Sequence, residues 1–262
     1  MHGLRLYRRY AAISIKSQLQ YRASFIMTTI GAFLITGIDF LGILVLFDRF
    51  GQVRGWTLPE IAVFYGMIST MWALCDAIGR GFDTFGNTVK AGDFDRLLLR
   101  PRSTVLQLIG AELTLRRIGR LLQGWIVLGY AIVHLDVDWT AWRFGLMAFA
   151  IACGVCVFLA IVILQATSAF WTTETLEVWN AFTYGGVLMN QYPLAIYRSW
   201  FRKLFTYAIP LGCVAYLPGL AILGRADPIG WPLVAPLAGP LFLAIALALW
   251  RIGVRHYRST GS

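Results

Sequence analysis

The chain has 262 residues, 58% apolar and 14% charged, with a formal net charge of +10, whereas soluble domains carry about 25% charged residues. The apolar residues run in long blocks that a soluble domain of this size could not hide, and the basic residues stand at the ends of those blocks, where helical membrane proteins keep them. That placement turns the positive charge away from nucleic acid as a partner and toward an all-α membrane protein.

The first 22 residues read as an amphipathic interface helix. Arg5, Arg8, Arg9 and Lys16 fall on one side of a helical wheel, and Leu4, Leu6, Tyr7, Tyr10, Ile13 and Ile15 on the rest, which suits a helix lying in the headgroup layer. A plain basic cytoplasmic leader is the competing reading. A secretory signal is not expected, because the first apolar run is too long and has no small-residue cleavage site.

Six spans follow, at 25–47, 58–78, 117–135, 144–170, 175–192 and 233–250. Each is near the roughly 20 residues needed to cross a hydrocarbon core. Pro59 suits the first turn of the second span, and Pro236 and Pro240 bend the start of the last. In the fourth, Ala148, Ala152, Cys156 and Ala160 form a small-residue ladder that predicts close helix packing. Residues 204–223 are apolar enough to be a span but are broken by Pro210, Gly212, Pro218 and Gly219. Charge settles the count. Basic residues at both ends place both termini in the cytoplasm, which requires an even number of crossings. Residues 195–224 are then a re-entrant outer segment, and 251–262 a cytoplasmic tail. This topology puts 16 of the 23 Lys and Arg inside. The seven outside include Arg54, Arg225 and the cluster Arg198, Arg202 and Lys203, which fits the scheme least well.

The sequence offers no catalytic device. It has no GxxxxGK[ST] phosphate loop, no HExxH and no GxSxG. The cysteines (Cys75, Cys153, Cys156 and Cys213) lie in or beside apolar stretches and build no disulfide framework. Cys153 and Cys156 form a CxxC without a nearby histidine or third cysteine to complete a metal site. The chain is therefore expected to be no enzyme and to bind no cofactor or metal.

The segment 79–103, between the second and third spans, is the most informative. Phe82, Phe85 and Val89 share a helical face, Gly92 is a natural helix stop, and Asp93 can cap a second turn in which Phe94, Leu97 and Leu98 face one way before Pro101 ends it. This predicts a short amphipathic helix lying crosswise at the cytoplasmic end, gripped by a soluble partner or left as an ordinary interfacial loop helix. In the first reading Phe85, Val89, Phe94 and Leu97 are exposed anchors, and Asp93, Asp95 and Arg96 orient the contact.

The run Gly92-Asp-Phe-Asp-Arg-Leu-Leu-Leu-Arg-Pro101 resembles the G-x-(L/F)-D-x-L-L-x-(R/K)-P segment of ABC-2 type permeases, in particular their small bacterial branch. The resemblance extends through Gln191-Tyr-Pro193, Trp200-Phe-Arg202, Ile209-Pro210, Tyr216-Leu-Pro218 and Tyr257-Arg-Ser-Thr-Gly-Ser262, and so covers essentially the whole chain. It implies six spans, a cytoplasmic coupling helix between the second and third, and re-entrant outer helices between the fifth and sixth. It also implies export by alternating access across a bacterial plasma (inner) membrane. ATP and Mg would be bound by separate ABC ATPase subunits, with a second permease chain, identical or related, completing the path. The alternative is a non-ABC polytopic channel or scaffold subunit.

Four acidic residues in or beside the spans are candidates for the substrate path or for gating, since a charge in a span is costly unless it is paired or hydrated. Asp39 lies well inside the first span, on a stripe with Thr28, Gly31, Ile35 and Gly42 expected to face other helices rather than lipid. Asp76 is near the inner end of the second, and Glu174 and Glu177 open the fifth. A structural hydrogen bond is the competing role for Asp39, and an ordinary interfacial position for the other three.

Overall fold

The structure, a computed structural model, describes residues 16–18, 20–111, 117–172, 176–226 and 231–257. Among these, the regular elements are helical apart from an isolated bridge between Val53 and Trp56. The interface helix expected over residues 1–22 lies almost wholly outside the described residues. Four described helices are long and apolar enough to cross a membrane, or five if one bent pair is counted as a span. The chain is thus an all-α, multi-pass membrane protein.

The helices in chain order are α1 (Arg22–Phe50), α2 (Leu58–Asp83), the short α3 (Phe85–Lys90) and α4 (Phe94–Leu98), α5 (Thr104–Ala111), α6 (Ile118–His134), α7 (Ala141–Ser168), α8 (Leu176–Asn190), α9 (Ser199–Lys203), α10 (Leu217–Ile222), α11 (Trp231–Val234) and α12 (Ala238–His256). At 17 and 15 residues, α6 and α8 are the shortest of the expected spans.

The centre of the molecule is α2, buried without interruption from Glu60 to Ala73, a mostly apolar stretch enclosed on every side by other helices. It packs most extensively on α6 and α7, and α7 in turn carries α12. Its start is fixed by Glu60, whose carboxylate accepts hydrogen bonds from the Thr57 backbone N–H at 2.8 Å and the Thr57 hydroxyl at 3.0 Å, with Pro59 in the first turn, where a missing N–H costs nothing. Three neighbours come close enough to exclude a side chain. A Cβ on Gly119 of α6 would strike the Thr29 carbonyl of α1, one on Gly81 of α2 the Leu108 carbonyl of α5, and one on Gly239 of α12 the Cys153 carbonyl of α7. The expected ladder in α7 is corrected in its first half. Ala148 and Ala152 are exposed, and there the buried stripe runs through Ala150, Cys153 and Val157 instead, whereas Cys156 is half-buried and Ala160 fully buried.

Residues 204–223 do not form one straight helix. The limbs Ser199–Ala208 and Gly212–Ile222 meet at 89°. The break is at Ile209, held extended at φ −121° and ψ 100°, as the residue before a proline prefers. On either side the chain widens into π-helical turns, Leu204–Ala208 and Gly212–Tyr216. The last span also starts irregularly, with Ala235–Leu237 tightened into a 3-10 turn at Pro236.

The bent pair is tied to the α1–α2 loop by two arginines. Arg225 donates to both carboxylate oxygens of Glu60, at 2.7 and 2.9 Å, and to the Gly55 carbonyl at 2.9 Å, with its guanidinium 4.1 Å from the Trp56 ring centroid. Arg54 donates to the Ile196 carbonyl at 2.6 Å. The loop is itself a tight turn, Arg54 at φ 51° and Gly55 at φ 78°, closed by paired Val53–Trp56 backbone bonds. Counted from sequence among the outer basic charges, both arginines are thus engaged.

Replacing Gly239 with Val should force α12 off α7 and cost about 1–3 kcal/mol, the usual range for overpacking. Thermal unfolding in detergent should show the loss, whereas Gly145→Val, on an open face of α7, should leave the midpoint unchanged.

Candidate functional site

On α2, Tyr65, Ser69, Trp72 and Asp76 recur at i, i+4, i+7 and i+11, one stripe of polar and aromatic groups on an otherwise apolar helix. Three of them line a cavity of about 140 Å³ together with Thr36 and Asp39 of α1, Arg120 of α6, Tyr184, Val187 and Leu188 of α8, and Gln191. Tyr65 spans its wall. Its hydroxyl donates to the Thr36 carbonyl at 2.9 Å and accepts from Gln123 of α6 at 3.4 Å, while its ring packs on Phe40 with centroids 5.1 Å apart. Trp72 stacks edge-on with Tyr184 and Phe158, at 5.4 and 5.3 Å. The walls thus combine aromatic rings with hydroxyl and amide groups, and carry one acid and one base.

Beside the cavity lies an ionic cluster. The Asp76 side chain is 5% exposed and takes Arg117 Nε at 2.7 Å, with Arg120 Nη1 at 3.9 Å. Two turns further along α2, Asp83 pairs with Arg80 at 2.5 Å and meets Gln165 of α7 at 3.5 Å. The cluster joins α2 to both α6 and α7. The attraction of two guanidinium groups offsets the cost of burying this charge, although both approach Asp76 Oδ2 outside hydrogen-bond geometry. Its carboxylate is therefore buried and paired rather than at a wet interface.

Asp39 is exposed on α1, at the cavity's edge. Its stripe does not pack on other helices of this chain: Ile35 is 65% exposed, and Gly31 and Gly42 have open space where a side chain would be. Glu174 lies outside the described residues, and of Glu177 only the backbone in α8 is described.

The anchors expected in the segment after α2 require correction. Phe85, Val89 and Phe94 are buried inside the chain, and Leu97 is half-buried. Phe85 and Phe94 meet at 5.0 Å, and Phe85 packs on Trp250 at 4.9 Å and Phe170 at 5.3 Å. Phe94 packs on Tyr257 at 4.9 Å, and Phe82 on Trp250 at 5.2 Å. The apolar face that sequence would leave for a partner is covered by the ends of α7 and α12. Gln107 of α5 fastens the following turn by donating to the carbonyls of Leu97 and Arg102, both at 3.1 Å. The side chains that the segment exposes include Lys90, Asp93, Arg96, Leu98, Leu99, Arg100 and Arg102, with Leu99 at 85%. Gly92, at φ 72°, ends α3 as expected. Asp93 holds the N-cap position of α4 without bonding the backbone, and its carboxylate meets Arg96 at 3.3 Å instead. Asp95 faces Tyr257, whose hydroxyl pKa is raised first by burial and then by that carboxylate.

Sequence reasoning missed Tyr65, Ser69, Trp72, Tyr184 and Gln191 as cavity residues, and the pairings of Asp76 with Arg117 and of Glu60 with Arg225. The α2 stripe was a usable signal. The partners on other helices had none.

The helical bundle, with a polar cavity and paired charges inside its apolar spans, defines a multi-pass membrane protein built around a polar interior. A family profile described as ABC-2 family transporter protein matches residues 33–261, and the chain belongs to that family. No curated protein and no solved structure matches it.

Removing the Asp76 carboxylate leaves Arg117 and Arg120 facing each other without a counter-charge. Asp76→Ala should destabilise by about 3 kcal/mol, the low end for breaking a buried pair, because the arginine side chains remain 28% and 21% exposed. Unfolding in detergent measures the loss, and Asp76→Glu should recover most of it.

Proposed function

We propose that the chain is the transmembrane permease subunit of an ATP-driven exporter, moving its substrate by alternating access when coupled to a separate ABC ATPase. Membership of the ABC-2 family supports a transport role. The observation that carries the coupling is the segment 85–98. It is pinned after the end of α2 by an aromatic cluster on one side, and together with the residues that follow it offers charged groups and the exposed Leu98 and Leu99 on the other. A soluble subunit gripping Arg96, Leu98, Leu99 and Arg100 would pull on α2, to which the segment is joined through Thr84, and on α12, against whose Trp250 both Phe85 and Phe94 pack.

In this reading α1, α2, α6, α7, α8 and α12 are six crossings with both termini cytoplasmic, in a bacterial plasma membrane. The bent pair around Pro210 is re-entrant on the outer side, held there by Arg225 and Arg54. ATP and Mg belong to the partner. A second permease chain, identical or related, covers the exposed stripe of α1. Lipid is a poor neighbour for Asp39, since a carboxylate in hydrocarbon costs at least about 2.5 kcal/mol. Two facing chains would place Asp39 and the cavities of both on a common path.

The test is co-purification. The tagged full chain, extracted from its native membrane, should bring down an ABC ATPase identified by mass spectrometry. Burying a leucine contributes about 1.5–3 kcal/mol, so Leu99→Asp should weaken that association by roughly ten- to a hundredfold while leaving the permease's own unfolding midpoint unchanged. Phe94→Ala should instead lower the midpoint, by about 3–5 kcal/mol of stability. Unchanged ATPase binding by Leu99→Asp would remove this surface from the coupling contact.

A further inference from the structure

A second pocket, of about 400 Å³, opens between the start of α5 and the end of α12 and shares no lining residue with the polar cavity. It lies within the size range of small-molecule sites. Its lining divides by chemistry. Ser103, Thr104, Arg251 and Arg255 form a polar side, and Val105, Leu247, Trp250 and Val254 an apolar side. The two halves are held in register by Trp250, whose Nε1 donates to Thr104 Oγ1 at 3.1 Å. Arg251 and Arg255 stand one helical turn apart, about 6 Å along the axis, so their guanidinium groups serve the same pocket. Neither has an ion-pair partner among the described residues. The opposite face of this stretch is fixed, because Gly253 packs against Phe170. The arginines therefore stay directed outward.

Position along α12 identifies the kind of ligand. Leu241, Ile245, Leu249 and Ile252 are exposed and form the helix's lipid-facing flank. Arg251 and Arg255 come toward the end of that apolar run, where basic residues of a spanning helix reach the headgroups. A guanidinium matches a phosphate by paired, charge-assisted hydrogen bonds, and serine and threonine hydroxyls add further donors. The apolar wall continues toward the hydrocarbon, which a soluble anion would not use but an acyl chain would. We propose that this pocket binds the headgroup phosphate of an anionic phospholipid, with the top of one acyl chain lying along Val105, Leu247 and Val254. The site would hold the start of α5 against α12 at the end of the bundle that carries the segment 85–98.

The experiment uses the full chain purified in detergent, with bound lipid counted by native mass spectrometry during titration with phosphatidylglycerol or phosphatidylcholine of the same chains. Phosphatidylglycerol should be retained at roughly tenfold lower concentration, and Arg251→Gln with Arg255→Gln should reduce it to the phosphatidylcholine level. The pair Arg198→Gln with Arg202→Gln, an equal charge change elsewhere, should leave the preference intact. sn-Glycerol 3-phosphate at matched concentration should not displace the lipid. Equal binding of the two lipids, or an unchanged preference in the Arg251 and Arg255 variant, overturns the proposal. Displacement by glycerol 3-phosphate overturns it in favour of a soluble phosphate ligand. If the double variant does not fold, the wild-type lipid comparison and the single, solvent-exposed Arg255→Gln distinguish the same outcomes.

Discussion

Lipid tails are as apolar as leucine, so helices in a bilayer gain nothing by hiding apolar surface from one another. Their register must come from close backbone approach and from polar ties, and α2 collects both. Gly81 lets its backbone meet that of α5. Tyr65 reaches the Thr36 carbonyl of α1, Asp76 holds Arg117 at the start of α6, and Glu60 holds Arg225 beyond α10. Four parts of the chain are thus located against one helix by directional contacts. Dispersion then fills in around them, as in the Leu128 side chain that packs over Gly66. The ion pair at Asp76 matters most among these ties, because its alternative in a spanning helix is an uncompensated charge.

The same physics decides what could be read from sequence. Span positions were legible, because blocks of apolar residues bounded by Arg and Lys are a consequence of bilayer thickness, and the bend at 209–211 was legible because proline cannot continue a hydrogen-bonded helix. The facing of each helix was not. In a soluble protein the polar side marks the outside, but in a membrane both the lipid-facing and the buried side are apolar. The small residues Ala148 and Ala152 therefore resemble a packing ladder although they face outward, and Gly31 and Gly42 suggest a packed stripe that this chain leaves open. Phe85, Val89 and Phe94 mislead for the opposite reason. Their periodicity shows that they share a face, but what covers that face, Phe170, Trp250 and Tyr257, is contributed by residues 76 to 165 positions away from their partners in the sequence.

The resemblance to ABC-2 permeases carries further than any single pattern because it rests on an ordered set of short motifs. Its segment 92–101 turns out to be largely conformational: Gly92 takes the left-handed conformation that ends α3, Phe94 enters the aromatic cluster, and the carbonyls of Leu97 and, just beyond, Arg102 receive Gln107. Only Asp93, Arg96 and the residues from Leu98 onward remain on the surface. A motif can therefore identify a segment correctly while its largest side chains serve the fold rather than the partner.

These constraints also bear on which element can move. α2 is about 39 Å long, taking 26 residues at about 1.5 Å each, and is buried along most of that length. It carries the aromatic cluster at one end, the cavity residues Tyr65, Ser69 and Trp72 in the middle, and the Glu60–Arg225 tie at the other. It cannot turn alone without breaking contacts on every side. α1 is different. It is exposed over most of its surface and leans chiefly on α6, through the Gly119 contact, with the hydrogen bond from Tyr65 tying it to α2. α1 is therefore among the more lightly tied helices of the bundle, and Asp39 stands at the edge of the cavity that it helps to line.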